Sequence, residues 1–464
     1  MRGGDLVHFV GVAGSGMSAL AQFHLMGGGR ATGSDRSFDR GESGGVRGKL
    51  EALGLRVFPQ DGSVFLHDKP DYLVASGAIE ERVPDLARAK GLGIPVRHRA
   101  DELSSRVEGF RSIAIAGTSG KSTVAGMLFE ILDHAGFDPS IITGGELVGL
   151  KRRGLIGNAR RGKSRWLIVE ADESDGTLVR YRPQLGVLLN ISKDHKEIPE
   201  LERMFSDFKS RSKSFLSADA PGLEPFQEGA RSFGFGRGEL RGEKLVLGPA
   251  GSSFEIGAVS FAVASPGRHN AENALAAAAA ARLCGVPLEK AAAALREFEG
   301  ISRRFEVVGR AGDVEVVDDF AHNPAKVAAA LAAAQLRAKR VLAVFQLHGF
   351  FPARFMKREF IDAFASALRP QDRLWMPEIY YAGGTAAKDV SAKDFVREIA
   401  ARGRRAEFAP AREDVPGELA REARPGDLIL VMGARDPSLA AFAREILKEL
   451  QELTSQPGRG PSPR

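Results

Sequence analysis

The run Gly117-Thr118-Ser119-Gly120-Lys121-Ser122-Thr123 follows the apolar segment Ile113–Ala116 and leads into a helix-like stretch, Val124–Leu132. Glycines, a lysine and hydroxyls at this spacing suit the binding of polyphosphate. Backbone N–H groups at a strand-to-helix turn point at an anion, and the positive end of the helix dipole adds to the attraction. Lys121 has the length to reach terminal phosphates, and the Ser122 hydroxyl suits a magnesium ion. Ile115 stands where the usual pattern has its first glycine, so the loop is the shorter G-T-x-G-K-[ST] form. The expected ligand is ATP.

A second glycine-rich turn opens the chain. Leu6–Val10 reads as a strand, Gly11-Val-Ala-Gly-Ser-Gly16 as a turn, and Met17–Met26 as an apolar helix. Arg30–Asp35 reads as a short strand ending in an acid, with Asp71–Ser76 and Ile94–Val96 as further strands. This β-α-β order with glycines at the first turn suggests a Rossmann-like nucleotide site. The spacing G-x-x-G-x-G differs from the dinucleotide fingerprint G-x-G-x-x-G, so it argues only weakly for NAD. Asp35 follows Gly16 by 19 positions (35 − 16), about where an acid would meet a ribose.

Both turns need sheets to hold them, and the chain divides into three α/β blocks. Residues 1–107 form the Rossmann-like unit. Residues 108–300 form a central P-loop ATPase unit with a parallel or mixed sheet. Its strands include Trp166–Glu170, which opens the acidic run Glu170–Asp175, and Leu185–Asn190, which leads into Asp194-His195. Residues 217–260 read as small strands or loops, and Ala271–Leu283 as a helix whose alanines pack closely against a neighbour. Residues 301–452 alternate strands (Val314–Val317, Val341–Phe345, Leu428–Met432) with helices, which predicts a third, open parallel, Rossmann-like sheet. The tail 453–464 has no core-forming pattern and is expected to be disordered.

Composition excludes several classes. In 464 residues, 43% are hydrophobic and 27% charged, which is ordinary for a soluble multidomain protein. The net charge of +6 and pI near 9.4 invite a nucleic-acid reading. Basic and acidic residues alternate, however, and no arginine-rich arm appears, so nucleic acid is not expected. The single cysteine, Cys284, rules out a disulfide framework or a cysteine-based metal cluster and fits a reducing cytoplasm. No apolar run is long enough to span a membrane. Asp5 and the early glycines interrupt what a signal peptide would need, so a cytoplasmic protein is expected.

Taken in order, HFVGVAGSGMSALA, TGSD, RHRADEL, AGTSGKST, VEADESDGTL, LNISKDH, PGRHNAENALAA, GISRRFE, VVDDFAHNP and LVMGARDP resemble the Mur ligases. These are the ATP-dependent amide-forming enzymes of peptidoglycan precursor synthesis. The resemblance covers about residues 6–450 and is strongest to the alanine-adding and murein-peptide recycling branches. It implies three domains: a UDP-binding unit, a central ATPase and a C-terminal unit that closes on it. It also implies a reaction in which a carboxylate takes the γ-phosphate of ATP to give an acyl phosphate, which an amine then attacks. The implied partners are a UDP-N-acetylmuramate-type nucleotide sugar and an amino acid or short peptide, in a monomer or homodimer.

The resemblance also assigns residues. Gly117, Thr118, Ser119, Gly120, Lys121, Ser122 and Thr123 would bind ATP with magnesium, and Lys121, Glu170 and His195 would act in catalysis. Glu170 and His195 match the family's ligands for a second magnesium ion and lie at strand ends. Asp172, Glu173 and Asp175 are alternatives to Glu170, and histidine is an unusual partner for so hard an ion. Asn273, Arg304 and Asp319 would contact the nucleotide, with Arg303 as the competitor of Arg304. Gly14, Ser15, Gly16 and Met17, with Asp35 and Ser76, would hold UDP. His322, His348 and Arg354 would serve the second substrate.

Several positions depart from the alanine-adding pattern. Ser119 replaces a histidine, Asn323 replaces a histidine, and Lys196 follows His195 where methionine is usual. Gly349 and Pro352 stand where that branch has arginines to grip an amino-acid carboxylate. These losses argue against L-alanine bound in the usual manner; L-alanine is nonetheless the leading amine, with a peptide or another amine as the alternative. Phe350 and Phe351 read either as an apolar pocket or as core.

Overall fold

The computed structural model describes residues 4–76, 83–174, 176–194, 196–381 and 387–455. The first sheet contains β1 (Leu6–Val10), β2 (Arg30–Ser34), β3 (Arg56–Phe58), β4 (Tyr72–Ala75) and β5 (Val96–His98). Its order is β3-β2-β1-β4-β5 and every pair is parallel. Val7–Val10 of β1 are all buried, as expected where a parallel sheet is covered on both faces. The helix Ser15–Met26 follows the glycine turn and ends at Gly27 and Gly28, the latter with φ +81°. β5 starts later than Ile94: Pro95 has no N–H to offer the ladder, although its carbonyl accepts from Leu73 N at 2.9 Å.

The second sheet contains β6 (Arg111–Ala116), β7 (Ser140–Ile142), β8 (Ala159–Arg160), β9 (Trp166–Glu170) and β10 (Leu185–Leu188). It continues with β11 (Ser214–Ala218), β12 (Arg231–Phe235), β13 (Leu240–Gly248), β14 (Gly251–Ile256) and β15 (Val259–Val263). The order is β15-β14-β13-β12-β11-β10-β6-β9-β7-β8, and β8 runs antiparallel to β7, so the sheet is mixed. The glycine-rich region expected as small strands or loops is thus mostly strand. Ala274, Ala276, Ala277, Ala278, Ala280 and Ala281 of the helix Arg268–Leu283 are fully buried, which only a side chain this small allows at close approach.

The third sheet contains β16 (Glu306–Ala311), β17 (Val314–Asp319), β18 (Arg340–Gln346), β19 (Arg373–Pro377), β20 (Arg405–Ala409) and β21 (Asp427–Gly433), in the order β16-β17-β21-β18-β19-β20. It is not wholly parallel as expected, because β16 pairs antiparallel with β17. Only Gly312 and Asp313 join them, with Gly312 at φ +55°, and so short a connection can only reverse the chain.

Contacts divide the chain into two compact units, one of residues 1–243, 255–261 and 272–301, the other of 244–254, 262–271 and 302–464. The last helix, Leu439–Ser455, runs into the tail expected to be disordered. Its buried seam of Leu439, Phe442, Ala443, Ile446 and Leu450 carries it that far, and residues 456–464 lie outside the described residues. Among the described residues, no helix is long and apolar enough to cross a membrane.

Candidate functional site

β6 lies between β10 and β9, and the chain crosses to opposite sides of it, so the loops after these strands open a crevice at the carboxyl edge of the sheet. Gly117 (φ +134°) and Gly120 (φ +86°) give the loop its shape, and Gly120 caps the helix Lys121–His134. Lys121 Nζ donates to Gly117 O at 2.8 Å and to Glu173 Oε2 at 2.6 Å, and lies 3.8 Å from Asp172. Burial disfavours the Lys121 charge, but Glu173 and Asp172 outweigh it and hold its pKa above the ordinary value. Burial pushes the Glu173 carboxyl up against the pull of Lys121. Glu173 therefore sits where an incoming phosphate would compete for the lysine.

Asn190, at the end of β10, grips the other side of the loop. Its Oδ1 accepts from Ser119 N at 2.9 Å and Thr118 Oγ1 at 3.0 Å, and its Nδ2 donates to Ser119 O at 3.0 Å. Ser119 Oγ is buried without a hydrogen-bond partner among the described residues, an orphan that a phosphate oxygen or its water would satisfy. Asn273 packs against Gly120 so closely that a β-carbon there would lie 2.4 Å from its Oδ1. The loop and Asn273 are therefore brought together.

Glu170 Oε1 accepts from Thr143 Oγ1 and, at 2.7 Å, from Gly144 N. The adjoining Gly145 leaves room for Ser122: a β-carbon on it would lie 3.0 Å from Ser122 Cβ. Ser122 and Glu170 thus flank one turn, Gly144–Gly145, and their hard oxygens suit magnesium completed by phosphates and water. No cluster of three or more His, Cys, Asp or Glu side chains at metal-binding separation occurs among the described residues. His195 and Asp175 lie outside the described residues.

In the first sheet, β1 lies between β2 and β4, and the glycine turn sits at its end. Gly14 caps the helix whose first turn is Ser15, Gly16 and Met17. Asp35 is engaged locally: it accepts from Ala13 N at 2.9 Å, and from Ser37 N at 2.8 Å and Ser37 Oγ at 2.7 Å. It therefore braces the turn and caps the next helix. Ser76 follows β4 directly. Arg99 lies across the turn, its Nη1 3.1 Å from where a Gly16 β-carbon would stand. Burial opposes the Asp172 charge, but Lys121, hydrogen bonds from Ser174, and Arg99 outweigh it and hold the carboxyl below its ordinary value.

The second unit gathers Arg304, Asp319, His322 and His348 near the carboxyl ends of β17 and β18. Asp319 accepts from Phe305 N and Ala321 N, both at 2.7 Å, and Arg304 lies over the Phe320 ring. Desolvation pushes the Asp319 carboxyl up, against Arg304 and these two bonds. His322 Nδ1 meets Phe320 O at 2.8 Å, and its ring lies 5.7 Å from that of His348. Desolvation, with Lys326 adding to it, lowers the His322 pKa well below the ordinary value. Arg303 also lies over Phe320, and it is held there by Asp318 and Gly433: its Nε lies 2.9 Å from Asp318 Oδ2 and its Nη2 2.9 Å from Gly433 O. Arg303→Ala is expected to cost about 3–5 kcal/mol of stability, read by thermal unfolding, because it leaves Asp318 buried without its partner.

The segment after β18 carries the remaining candidates for the second substrate. Arg354 pairs with Asp389 at a half-exposed position. Gly349 has φ +69° and ψ 130°, and its N–H donates to Tyr380 O at 2.8 Å. An arginine there would be strained in this backbone. Gly349→Arg is expected to lower stability by about 1–3 kcal/mol without gain of activity, measured by thermal unfolding beside an activity assay. Phe350 is core, packed edge-on against Tyr381, while Phe351 is 57% exposed and stacks on Phe355.

An ATP-type loop on a central α/β sheet, with a nucleotide-fold sheet before it and another after it in the chain, defines a nucleotide-binding architecture of three α/β sheets. Residues 6–111 match the Mur ligase family catalytic domain, 115–281 the Mur ligase middle domain, and 303–435 the Mur ligase glutamate ligase domain. The chain belongs to the Mur ligase family. It is similar to UDP-N-acetylmuramate–L-alanine ligase of Pelotomaculum thermopropionicum, 35% identical with 96% of this chain and 98% of the relative covered. The enzyme of the same name in Gloeobacter violaceus is 35% identical over 93% of each chain. In fold it is similar to the UDP-N-acetylmuramate–alanine ligase of Thermotoga maritima (TM-score 0.79, 24% identity, 97% and 100% of the chains covered). The murein peptide ligase of Psychrobacter arcticus is also similar (TM-score 0.67, 21% identity, 96% and 99% covered).

Sequence reasoning missed Asn190, Thr143 and Arg99. Asn190 and Arg99 lie inside recognised motifs and Thr143 lies outside them, but the role of each arises from contacts across the fold rather than from spacing.

Proposed function

We propose that this chain is an ATP-dependent ligase that joins L-alanine to the carboxylate of UDP-N-acetylmuramate, releasing ADP and phosphate. The observation that carries this reading is the gathering of Lys121, Ser122 and Asn273 at one loop, with Glu170 across the Gly144–Gly145 turn from Ser122, at the carboxyl edge of the central sheet. The near-full-length likeness to alanine-adding enzymes supports the choice of substrates.

A carboxylate is a poor acyl donor because its charge and resonance repel an amine. Phosphorylation removes both obstacles, and cations must first draw two anions together. Lys121 would leave Glu173 for the β/γ-phosphates, while backbone N–H groups of the loop cradle them. Ser122 and Glu170 would hold magnesium, which supplies charge neutralisation at the phosphates; Thr123 and His195 are further candidates. Asn273, Arg304 and Asp319 are the proposed nucleotide contacts, with Gly117, Thr118, Ser119 and Gly120 lining the phosphates. Gly14, Ser15, Gly16 and Met17 would hold the UDP moiety, with Asp35 bracing them and Ser76 beside them. His322 and His348, which are paired, would face the amine, and Arg354 would do so only after leaving Asp389. We further propose domain limits near 107/108 and 300/301, and a cytoplasmic location.

The test is isotopic. Nucleotide sugar labelled with ¹⁸O in its carboxylate is expected to pass one labelled oxygen to the released phosphate. Unlabelled phosphate beside amide product would overturn the acyl-phosphate route.

A further inference from the structure

The helix that follows the first glycine turn is tied to the central sheet by a buried polar network. Asn158 Nδ2 donates to Ser15 O at 2.8 Å and to Ser18 Oγ at 3.0 Å, while its Oδ1 accepts from Gln22 Nε2 at 2.7 Å. Asn158, Ser18 and Gln22 are each at most 1% exposed. Ser15 O can only accept, so the face of the Asn158 amide toward it must be its NH₂, and the oxygen must then face the Gln22 donor. Each end of the amide is used. Asparagine is the one side chain of this length that supplies both.

The backbone of Asn158 reaches the opposite way. Its carbonyl accepts from Thr143 N at 2.9 Å, and Thr143 Oγ1 in turn donates to Glu170. One residue thus joins the turn of the first sheet, through its side chain, to the carboxylate at the phosphoryl-transfer loop, through its main chain. Nothing else in the proposed mechanism uses it.

We infer that Asn158 is a positioning residue that fixes the nucleotide-sugar turn, Gly14–Met17, against the ATP-bearing sheet. The inference rests on the reading of that turn as the nucleotide-sugar site. Truncating the side chain cuts the link on the turn side only, because the Thr143–Glu170 link runs through backbone. The two substrates should therefore respond differently.

The experiment is steady-state kinetics of the full-length enzyme with UDP-N-acetylmuramate, ATP and L-alanine. Asn158→Ala is expected to raise KM for the nucleotide sugar roughly three- to tenfold, with KM for ATP changed by less than about twofold. An unchanged nucleotide-sugar KM, or an equal rise in both values, would overturn the inference, since a merely structural defect would not separate them. If Asn158→Ala does not fold, Ser18→Ala removes one of the amide's bonds, and it must raise the same KM in the same direction or the inference fails. Gly14→Leu tests the underlying reading separately. Gly14 has φ −62°, and a β-carbon there meets only Gly11 O, at 3.5 Å, so the backbone tolerates the change. If this variant leaves the nucleotide-sugar KM unchanged, the turn is not that site, and the inference about Asn158 falls with it. If it raises that KM while Asn158→Ala does not, only the positioning role fails.

Discussion

Replacing Lys121 by alanine is expected to lower kcat roughly a thousandfold, because the variant loses the one cation the loop itself aims at the phosphates. Burial disfavours the lysine's charge, yet its two acidic neighbours keep it protonated across the physiological range. The substitution also strands Glu173, so a damaged loop would add to the effect of the missing charge. Lys121→Ala/Glu173→Gln separates these effects, since it removes the stranded carboxylate and leaves the charge missing. The double variant is expected to regain stability in thermal unfolding and to stay inactive. Near-normal turnover in either variant would remove the loop from the mechanism.

Gly120→Ala is expected to weaken ATP binding roughly ten- to hundredfold, measured by calorimetric titration with a non-hydrolysable analogue. Two independent costs combine. An L-residue at φ +86° is strained, and its β-carbon would lie 2.4 Å from Asn273 Oδ1. Asn273 is itself a proposed nucleotide contact, so the clash displaces either the loop or the side chain that serves the same ligand. Adding Asn273→Ala is expected to relieve the clash but not the backbone strain, so the two substitutions should be non-additive. Wild-type affinity in Gly120→Ala would mean that the loop does not take this shape around ATP.

The phosphate loop is legible in the sequence because its chemistry is carried by the backbone, and a backbone of this shape has few sequence solutions. Glycines with positive φ, a lysine and a helix start must follow one another directly, so local reading is enough. The same holds for the order of sheets, since long buried strands show as apolar runs. Asn190 and Asn158 cannot be read in this way. They act on residues 71 and 143 positions away, at Ser119 and Ser15, so only the folded chain shows what they hold. Adjacent arginines pose a different problem. Arg303 and Arg304 look equivalent as letters, and both lie over Phe320, but Arg303 takes φ +59° and turns into Asp318, while Arg304 is the stronger charge acting on Asp319. The antiparallel edge strand β16 escapes a sequence reading because a two-residue connection containing one glycine is a weak signal beside the strong parallel pattern around it. The distance of Asp35 from Gly16 suggests a ribose contact, but its bonds to Ala13 and Ser37 make it a brace for the turn first.

The amine is the substrate the sequence leaves most open, because Gly349 stands where the resemblance leads one to expect an arginine and its backbone is unsuited to one. The most direct measurement is phosphate release from ATP and magnesium with UDP-N-acetylmuramate, screened over amino acids and short peptides. Release is predicted only when nucleotide sugar and amine are both present, and to peak with L-alanine. Release that ignores the nucleotide sugar, or its absence across the panel while ATP remains bound, would contradict the ligase reading.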